Sequence, residues 1–297
     1  MKQLLILSGK GGTGKTTVAG AFIKLSDVKA YADCDVDAPN LHLILGKDEI
    51  PSYEDFYGMD KAEINQTACV SCGACFEICR FDAIDKSDKF VVNPFACEGC
   101  GLCVQVCPEK AINMVKCKAG DLMVYGNKRL FSTAKLKMGN GTSGLLVTEV
   151  KKKLRRVETV EPLAIIDGSP GIGCPVIASM SGVDNVLIVA EPSVSGISDM
   201  KRILDTAKVF GVKTGVVTNK FDTNLRKTAE IKTFCEEHAI KYFGEIPFDS
   251  KVVSLVNRGL TAVEGESLAG KVITDIFKSV MIWVNENSDS SFKVIQR

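Results

Sequence analysis

The sequence predicts an α/β protein with a mostly parallel sheet, interrupted by a small cysteine-rich α+β unit. A glycine-rich loop joins an apolar strand pattern to a helical pattern near the N-terminus, and strand and helix patterns alternate from residue 163 onward. Such alternation is typical of a parallel sheet covered by helices on both faces. The positions of the cysteines indicate the second unit, because eight of the twelve fall within residues 69–107.

The composition excludes several broad classes of protein. Over 297 residues, 45% hydrophobic and 25% charged side chains supply material for a sizeable core, which excludes wholesale disorder. A net charge of +1 argues against a general nucleic-acid binder. The sequence has no run of about 18 apolar residues, so no membrane-spanning helix is predicted. The apolar stretch at the N-terminus is too short for a secretion signal. We therefore expect a cytoplasmic protein that uses neither membrane nor nucleic acid as a partner.

The first strand leads into a predicted phosphate-binding loop. Residues 3–7 form a short apolar strand pattern, residues 9–16 read Gly-Lys-Gly-Gly-Thr-Gly-Lys-Thr, and a helical pattern begins at Thr17. In this order of strand, loop and helix, backbone N–H groups and the helix N-terminus hold phosphate oxygens. Lys15 is expected to reach the β and γ phosphates, and Thr16 to hold Mg²⁺. The predicted nucleotide-binding residues of the loop are Gly9, Lys10, Gly11, Gly12, Thr13, Gly14, Lys15, Thr16 and Thr17.

Residues 69–79 and 97–107 are two copies of one pattern, C-x2-C-x2-C-x3-C, at an offset of 28 residues. This spacing is typical of bacterial ferredoxins, in which the fourth cysteine ligates the other cluster. Zinc sites prefer pairs of cysteines separated by a longer gap, and disulfides are not expected without an export signal. The pattern therefore predicts two 4Fe–4S clusters. The ligands are Cys69, Cys72, Cys75 and Cys107 for cluster 1, and Cys79, Cys97, Cys100 and Cys103 for cluster 2.

Residues 61–116 resemble the two-cluster bacterial-type ferredoxin, with one departure. Pro108 follows the last cysteine of the second copy, whereas Arg80 stands at the corresponding position of the first. Since this position supplies no ligand, we expect altered local electrostatics and an intact cluster. We predict an inserted ferredoxin domain at 61–116 within a discontinuous ATPase domain at 1–60 and 117–297.

The segment after the cysteines is strongly basic. Residues 117–156 carry ten basic and two acidic side chains, a net of +8. A solvated helix face explains most such runs, and a docking surface for an acidic redox partner is the alternative. Residues 122–131 suggest a hairpin turning at Gly126-Asn127. The glycine-rich residues 139–144 fit either a hinge between the domains or a static connector.

The remaining elements follow as alternating strands and helices. An apolar strand at 163–167 ends in Asp167-Gly-Ser-Pro-Gly171. Further strands are predicted at 185–190, 213–218 and 242–246, with helices at 195–210, 224–238 and 268–284.

The loop with its second lysine, Gly-Lys-Gly-Gly-Thr-Gly-Lys-Thr-Thr, resembles the deviant Walker A loop of the MinD/ParA/Mrp/nitrogenase-iron-protein group. The resemblance implies an ATPase that forms a nucleotide-dependent homodimer, in which Lys10 reaches the nucleotide of the other subunit. It also implies catalytic roles for Lys10 and Lys15 at the transferred phosphate.

The resemblance continues in two later segments. In residues 31–41, Asp35 matches the residue that positions or activates the attacking water, and Asp33 and Asn40 match the polar positions beside it. After the strand at 163–167, Asp167 matches the Walker B acid near Mg²⁺, and Gly171 would lie near the γ-phosphate. Asp35 and Asp167 thereby complete the implied catalytic set.

The resemblance also implies where the base binds. Asn219-Lys220-Phe221-Asp222 could pass for a guanine-reading N-K-x-D, but the family has a similar pair at this strand end and binds adenine there. It also has a later I-P-x-D, here residues 246–249. The implied base contacts are Asn219, Pro247 and Asp249, and ATP is the expected nucleotide.

Over nearly the whole chain, the resemblance is to MinD-superfamily ATPases with an inserted ferredoxin domain, some labelled cobyrinic acid a,c-diamide synthase-like. That amidotransferase chemistry needs a cysteine nucleophile with a histidine base, and only His42 and His238 are present. The leading hypothesis is an ATPase whose nucleotide state gates electron transfer from its ferredoxin domain, or the docking of that domain on a redox or metallocofactor protein partner. The alternatives are an ATP-dependent maturation factor for a metal cofactor or iron–sulfur cluster, and a MinD/ParA-like spatial-organising ATPase.

Overall fold

The computed structural model describes residues 1–45, 50–126, 129–155 and 162–286. Thirteen strands lie within these ranges: β1 (Lys2–Leu7), β2 (Ala30–Asp33), β3 (Ser52–Tyr57), β4 (Lys61–Ile64), β5 (Ile84–Lys86), β6 (Phe90–Val92), β7 (Ile112–Val115), β8 (Lys118–Tyr125), β9 (Leu130–Leu136), β10 (Leu163–Asp167), β11 (Asn185–Ala190), β12 (Lys213–Asn219) and β13 (Lys241–Ile246).

The same ranges contain ten α-helices, which are α1 (Lys15–Ser26), α2 (His42–Leu45), α3 (Ala74–Ile78), α4 (Leu102–Val106), α5 (Ser143–Leu154), α6 (Cys174–Met180), α7 (Val194–Phe210), α8 (Leu225–Glu237), α9 (Ser250–Asn257) and α10 (Leu268–Asn285). Among the residues described, no helix is long and apolar enough to cross a membrane.

Nine of these strands form one sheet in the order β13-β12-β11-β1-β10-β2-β9-β8-β3. The pairings from β13 to β9 are all parallel, and only β9–β8 and β8–β3 are antiparallel. The prediction of a mostly parallel sheet is therefore confirmed. Since carboxyl ends of parallel strands share one edge, the loops after β1, β2, β10, β11 and β12 meet there.

Helices pack on both faces of this sheet, and β1 shows why. Its side chains alternate, with Leu5 and Leu7 in the core beneath α5–α8 and Leu4 and Ile6 in the core beneath α1 and α10. All four are fully buried. A strand buried on both faces needs a continuous apolar run, which is what the sequence supplies there.

Residues 61–115 contribute no strand to the large sheet. Instead β4 pairs with β7 and β5 pairs with β6, both antiparallel, around a small separate core. The two copies of the cysteine repeat are folded alike: the N–H of Asn65 donates to the Ala111 carbonyl, and the N–H of Asn93 donates to the Ala83 carbonyl. The 28-residue repeat is thus an internal structural repeat.

The segment predicted as a hairpin is part of the large sheet. Strands β8 and β9 are its two arms, and β9 pairs with β2 in the body of the sheet. Asn127, the second residue of the predicted turn, lies outside the described residues. Residues 139–142 form a short loop before α5, and the hinge remains a prediction.

Candidate functional site

The glycine-rich loop joins the buried end of β1 to the first turn of α1. Gly12 and Gly14 have φ angles of +79° and +91°, which residues other than glycine adopt only under strain. Gly9 is required for a different reason, since a Cβ built there would lie 2.1 Å from Cβ of Asp199. The loop therefore takes a path that leaves backbone N–H groups at the start of α1 free to face a ligand.

A cleft of about 1090 Å³ opens in front of this loop. Its walls come from four separate parts of the chain, and two of these, the phosphate loop and residues 35–44, contain predicted site residues. The other two are residues 169–170 and residues 256–259 at the C-terminal end of α9. The predicted residues in its lining are Lys10, Gly11, Gly12, Thr13, Gly14, Lys15, Thr16, Thr17, Asp35 and Asn40. Its size suits a nucleotide-sized ligand.

Lys15 and Asp167 form a buried ion pair at the base of the cleft. Lys15 Nζ lies 2.5 Å from Asp167 Oδ1, with 5% and 0% of the two side chains exposed. Burial by itself lowers the pKa of Lys15, but the carboxylates of Asp167, Asp33 and Asp35 outweigh it and leave the pKa raised. The structure therefore brings together the phosphate-loop lysine and the predicted Walker B acid.

The residues present fit a magnesium ion. Asp167 Oδ2 is buried and has no hydrogen-bond partner within the described part of the chain, so one carboxylate oxygen remains available to a ligand. The Thr16 hydroxyl lies 3.4 Å from Lys15 Nζ in the same corner of the cleft. Mg²⁺ prefers oxygen ligands and is usually held by one or two protein groups plus substrate phosphates. Asp167 and Thr16 are the groups that would hold it.

Asp33 organises the loop that carries Asp35. Its carboxylate accepts hydrogen bonds of 3.0 Å each from the N–H groups of Asp35, Asn40 and Leu41. Burial, reinforced by the Asp167 carboxylate, raises the pKa of Asp33 to about 7. Asp35 is half-buried, and its Oδ1 accepts a bond of 3.3 Å from the N–H of Ala38. Burial also raises the pKa of Asp35. The loop thus presents this carboxyl to the cleft, as required of a group that orients water.

Lys10 is held within its own subunit. Its Nζ forms an ion pair of 2.6 Å with Glu191 and hydrogen bonds of 3.3 and 3.4 Å to the hydroxyls of Ser193 and Ser195. These partners lie in the turn from β11 into α7. The side chain is 37% exposed, so it remains accessible from outside the subunit.

Asn219 and Lys220 brace the phosphate loop from the end of β12. Asn219 Nδ2 donates to the Thr13 carbonyl at 2.6 Å, and Lys220 Nζ donates to the Gly12 carbonyl at 2.8 Å. Beside them lies a cavity of about 200 Å³, lined by these two residues and residues 246–249, among them Pro247. The predicted base contacts therefore do lie together beside the phosphate loop.

Asp249 also has a structural role there. Its Oδ1 accepts from the N–H of Lys251 at 2.9 Å, and its Oδ2 accepts from those of Leu268 and Ala269 at 2.9 and 3.3 Å. One carboxylate thus caps both α9 and α10. Its contact with the base remains a prediction.

Residues 4–262 match the family described as the CobQ/CobB/MinD/ParA nucleotide binding domain. The chain belongs to this family. The uncharacterized protein MJ0578 of Methanocaldococcus jannaschii is 32% identical over 286 residues, which cover 94% of this chain and 96% of that protein.

Two solved structures share the fold. The septum site-determining protein MinD of Pyrococcus horikoshii, complexed with Mg-ADP, has a TM-score of 0.58 at 18% identity and covers 96% of this chain and 97% of its own. The ATP complex of a McdA variant from Cyanothece has a TM-score of 0.53 at 20% identity, with coverages of 98% and 99%. They bear out the predicted P-loop α/β fold.

In this MinD/ParA family member, the predicted cluster ligands surround two small cavities in residues 61–115. One cavity is lined by Cys69, Cys72, Cys75 and Cys107, and the other by Cys79, Cys97, Cys100 and Cys103. Each cavity thus has the four cysteines predicted for one cluster. All twelve cysteines of the chain are free of disulfides.

Among the described residues, no three His, Cys, Asp or Glu side chains lie close enough together to hold a single metal ion. A cubane places iron and sulfide between its ligands, so its four thiolates surround a space rather than converge on one point. A set of cysteines around a cavity is the arrangement that such a group needs. The four thiols that line each cavity match the ligand set that a 4Fe–4S cluster requires.

The residues that hold Lys10 were not predicted from the sequence. Glu191 directly follows β11, at the same sheet edge as the phosphate loop. This position in the sequence could have indicated that Glu191 lies near the site. The N–H of Gly171 donates to the Ser8 carbonyl at 3.0 Å, and the place of Gly171 near the γ-phosphate remains a prediction. The segment 256–259 also lines the cleft without any sequence signal.

Proposed function

We propose that this protein binds ATP with Mg²⁺ and hydrolyses it as a nucleotide-dependent homodimer of the MinD/ParA type. The observation that carries the proposal is the buried Lys15–Asp167 pair at the base of a nucleotide-sized cleft, with Asp167 Oδ2 left unpaired. Two structural neighbours are complexes with Mg-ADP and with ATP, which supports an adenine nucleotide.

Each of the site residues would have a separate role in hydrolysis. Loop N–H groups and Lys15 hold the β and γ phosphates, and Asp167 and Thr16 hold the metal. Mg²⁺, when bound, neutralises charge on the phosphate oxygens. Asp35 orients the attacking water, and Lys10 of a second copy adds positive charge at the transferred phosphoryl group. Each of these steps is positioning or charge stabilisation, which dominate phosphoryl transfer.

The comparisons favour a spatial-organising role over the gating of electron transfer. The structural neighbours include a septum site-determining protein and a plasmid partition protein. We therefore propose that the ATP-bound dimer docks a partner protein and that hydrolysis releases it.

A second candidate function rests on the two cysteine-lined cavities. Residues 61–116 would form an inserted ferredoxin-type domain holding two 4Fe–4S clusters, which supply one-electron transfer when bound. Nucleotide state would then control access of a redox or metallocofactor protein partner to these clusters.

The ATPase proposal is tested by light scattering after size-exclusion chromatography, with phosphate release measured in parallel. With ATP and Mg²⁺, an Asp35→Asn variant should elute as a stable dimer and release little phosphate. A Lys10→Ala variant should bind ATP, stay monomeric and lose most activity. A monomeric Asp35→Asn protein at saturating ATP would contradict the homodimer.

The cluster proposal is tested by iron analysis and low-temperature EPR after anaerobic purification. The protein should hold about eight iron atoms per chain, as two 4Fe–4S clusters require. Cys72→Ala and Cys100→Ala should each lose about half of the iron, whereas Cys235→Ala, outside both sets, should lose none. Iron-free protein after anaerobic reconstitution would contradict the proposal.

A further inference from the structure

The two halves of the cysteine repeat differ at one buried charge. The repeat relates Lys61 to Lys89, 28 residues later. Lys61 begins β4 and is only 7% exposed. Lys89 is exposed, and its Nζ donates to the Gln66 carbonyl at 2.8 Å.

Lys61 has no acidic partner among the described residues. Its one hydrogen bond goes from Nζ to the main-chain carbonyl of Cys97. An ammonium group buried against a single carbonyl is destabilising unless negative charge lies nearby. Neutral cysteines would supply none, whereas a cluster with four thiolate ligands carries net negative charge.

The cavity beside Lys61 is the one predicted for cluster 2. The next residue, Ala62, lines it, and Cys97 is one of its four cysteines. No corresponding buried lysine lies at the other cavity, because the equivalent position is occupied by exposed Lys89.

Other charges nearby are exposed and therefore screened by solvent. Arg80 follows the cluster 2 ligand Cys79, and Glu98 lines the same cavity. Glu109 lines the cavity of cluster 1. The buried ammonium of Lys61 thus dominates the difference between the cavities.

We infer that Lys61 makes the two clusters unequal, by holding cluster 2 at a higher reduction potential than cluster 1. The inference rests on the proposed clusters. Reduction adds one electron, and hence one negative charge, to a cluster. A buried positive charge stabilises that reduced form, since net charge and hydrogen bonding set cluster potentials. One electron supplied by a low-potential one-electron donor protein therefore settles on cluster 2, leaving cluster 1 oxidised.

The cavity predicted for cluster 2 lies on the side that faces the large sheet. A Cβ built at Gly99, in its ligand loop, would lie 2.3 Å from the Asp60 carbonyl oxygen. A Cβ built at Gly141, in the loop before α5, would lie 3.5 Å from Glu98 Oε2. The stored electron would therefore rest next to the connection between the cysteine-rich unit and the large sheet.

The test is a potentiometric titration with dithionite, followed by EPR, on the anaerobically purified full chain. The wild-type protein should show two resolved midpoint potentials. Lys61→Met should move the higher potential to a more negative value and leave the lower one in place. Lys61→Arg should restore the wild-type value, and the matched control Lys89→Met should change neither.

Two results would overturn the inference while leaving the clusters in place. One is a wild-type titration in which both clusters are reduced at the same potential. The other is an iron-loaded Lys61→Met variant with both potentials unchanged. If Lys61→Met loses iron, the inference is still tested by the other two measurements. The wild-type protein must show two midpoint potentials, and Lys61→Arg must keep the higher one at its wild-type value. Wild-type protein without iron after reconstitution would instead contradict the proposed clusters themselves.

Discussion

At the scale of single residues, the most consequential contact is that between Lys15 and Asp167. Three carboxyl groups and one ammonium group lie close together beneath the cleft, and Asp33 and Asp167 are fully buried. Buried opposite charges stabilise each other, because removing one leaves the other buried without a compensating charge. The ligand-binding group is thus also a structural one.

Replacing Lys15 should therefore affect stability as well as binding. Lys15→Met is expected to lower the free energy of unfolding by about 3–5 kcal/mol without nucleotide, since it leaves buried carboxylates uncompensated. Urea unfolding followed by circular dichroism measures this. The control is Lys10→Met, whose ion pair is partly exposed and should contribute less than about 1 kcal/mol. Equal stability of the two variants would contradict the argument.

The raised pKa of Asp33 predicts a pH dependence of stability. Because its pKa is about 7 in the folded protein and near its ordinary value in the unfolded chain, the folded state binds the proton more tightly between those values. The free energy of unfolding should then fall as pH rises from about 4 to about 7, by at most about 1.4 kcal/mol per unit. Denaturant titrations across this range, without nucleotide, measure the slope. Asp33→Asn should flatten it, and an unchanged slope would assign it to other groups.

At the scale of elements, α9 and α10 depend on one shared cap. The carboxylate of Asp249 accepts main-chain hydrogen bonds at the start of both helices. These bonds, beginning with that from Lys251, lower the pKa of Asp249. Its position beside the base cavity therefore couples the packing of two helices to the shape of the nucleotide site.

Removing this cap should separate the structural role from base contact. Asp249→Ala is expected to cost about 1–2 kcal/mol of stability, the usual range for an N-cap. Thermal unfolding measures that loss, and binding of ATP and GTP to the same variant measures base selectivity. Ser267→Ala removes the other cap of α10, at the Gly270 N–H, and is the control for a cap alone. If Asp249 acts only as a cap, the two variants should show equal base selectivity.

How far the elements could be predicted depended on their apolar patterns. β11 was predicted at its observed bounds because all six of its residues are buried and apolar enough to read as a strand. β3 was missed because five of its six residues are exposed on the edge of the sheet and show no alternation. The short helix α9 directly follows residues 246–249, which were predicted as part of the base site, and it was not predicted as a separate helix.

The site was predictable where local spacing carried it, as in the phosphate loop and the cysteine repeat. It was not predictable where distant residues meet. The contact of Lys10 with Glu191 joins residues far apart in the chain, and the burial of Lys61 reverses the usual preference of lysine for solvent. Such contacts follow from the packing of elements rather than from any local pattern.

At the scale of the whole molecule, the proposed dimer requires Lys10 to change partners. In the subunit described here it is paired with Glu191, which also lies 3.9 Å from Lys220. To reach the nucleotide of another subunit, Lys10 must leave this pair. The free energy of the pair therefore opposes dimerisation, once for each subunit.

Weakening that pair should favour the dimer. In an Asp35→Asn background with saturating ATP and Mg²⁺, Glu191→Gln is expected to lower the dimer dissociation constant. Two partly exposed pairs, each worth up to about 1 kcal/mol, allow up to about a 30-fold change. Sedimentation equilibrium over a concentration series measures this constant.

The matched control for this variant is Asp205→Asn, which removes the exposed pair with Lys208 on α7 and should leave the constant unchanged. A higher dissociation constant for Glu191→Gln would mean that Glu191 supports Lys10 in the dimer instead of retaining it in the monomer. In that case the contact would be part of the closed site, and the monomer would have no electrostatic barrier to closing over ATP.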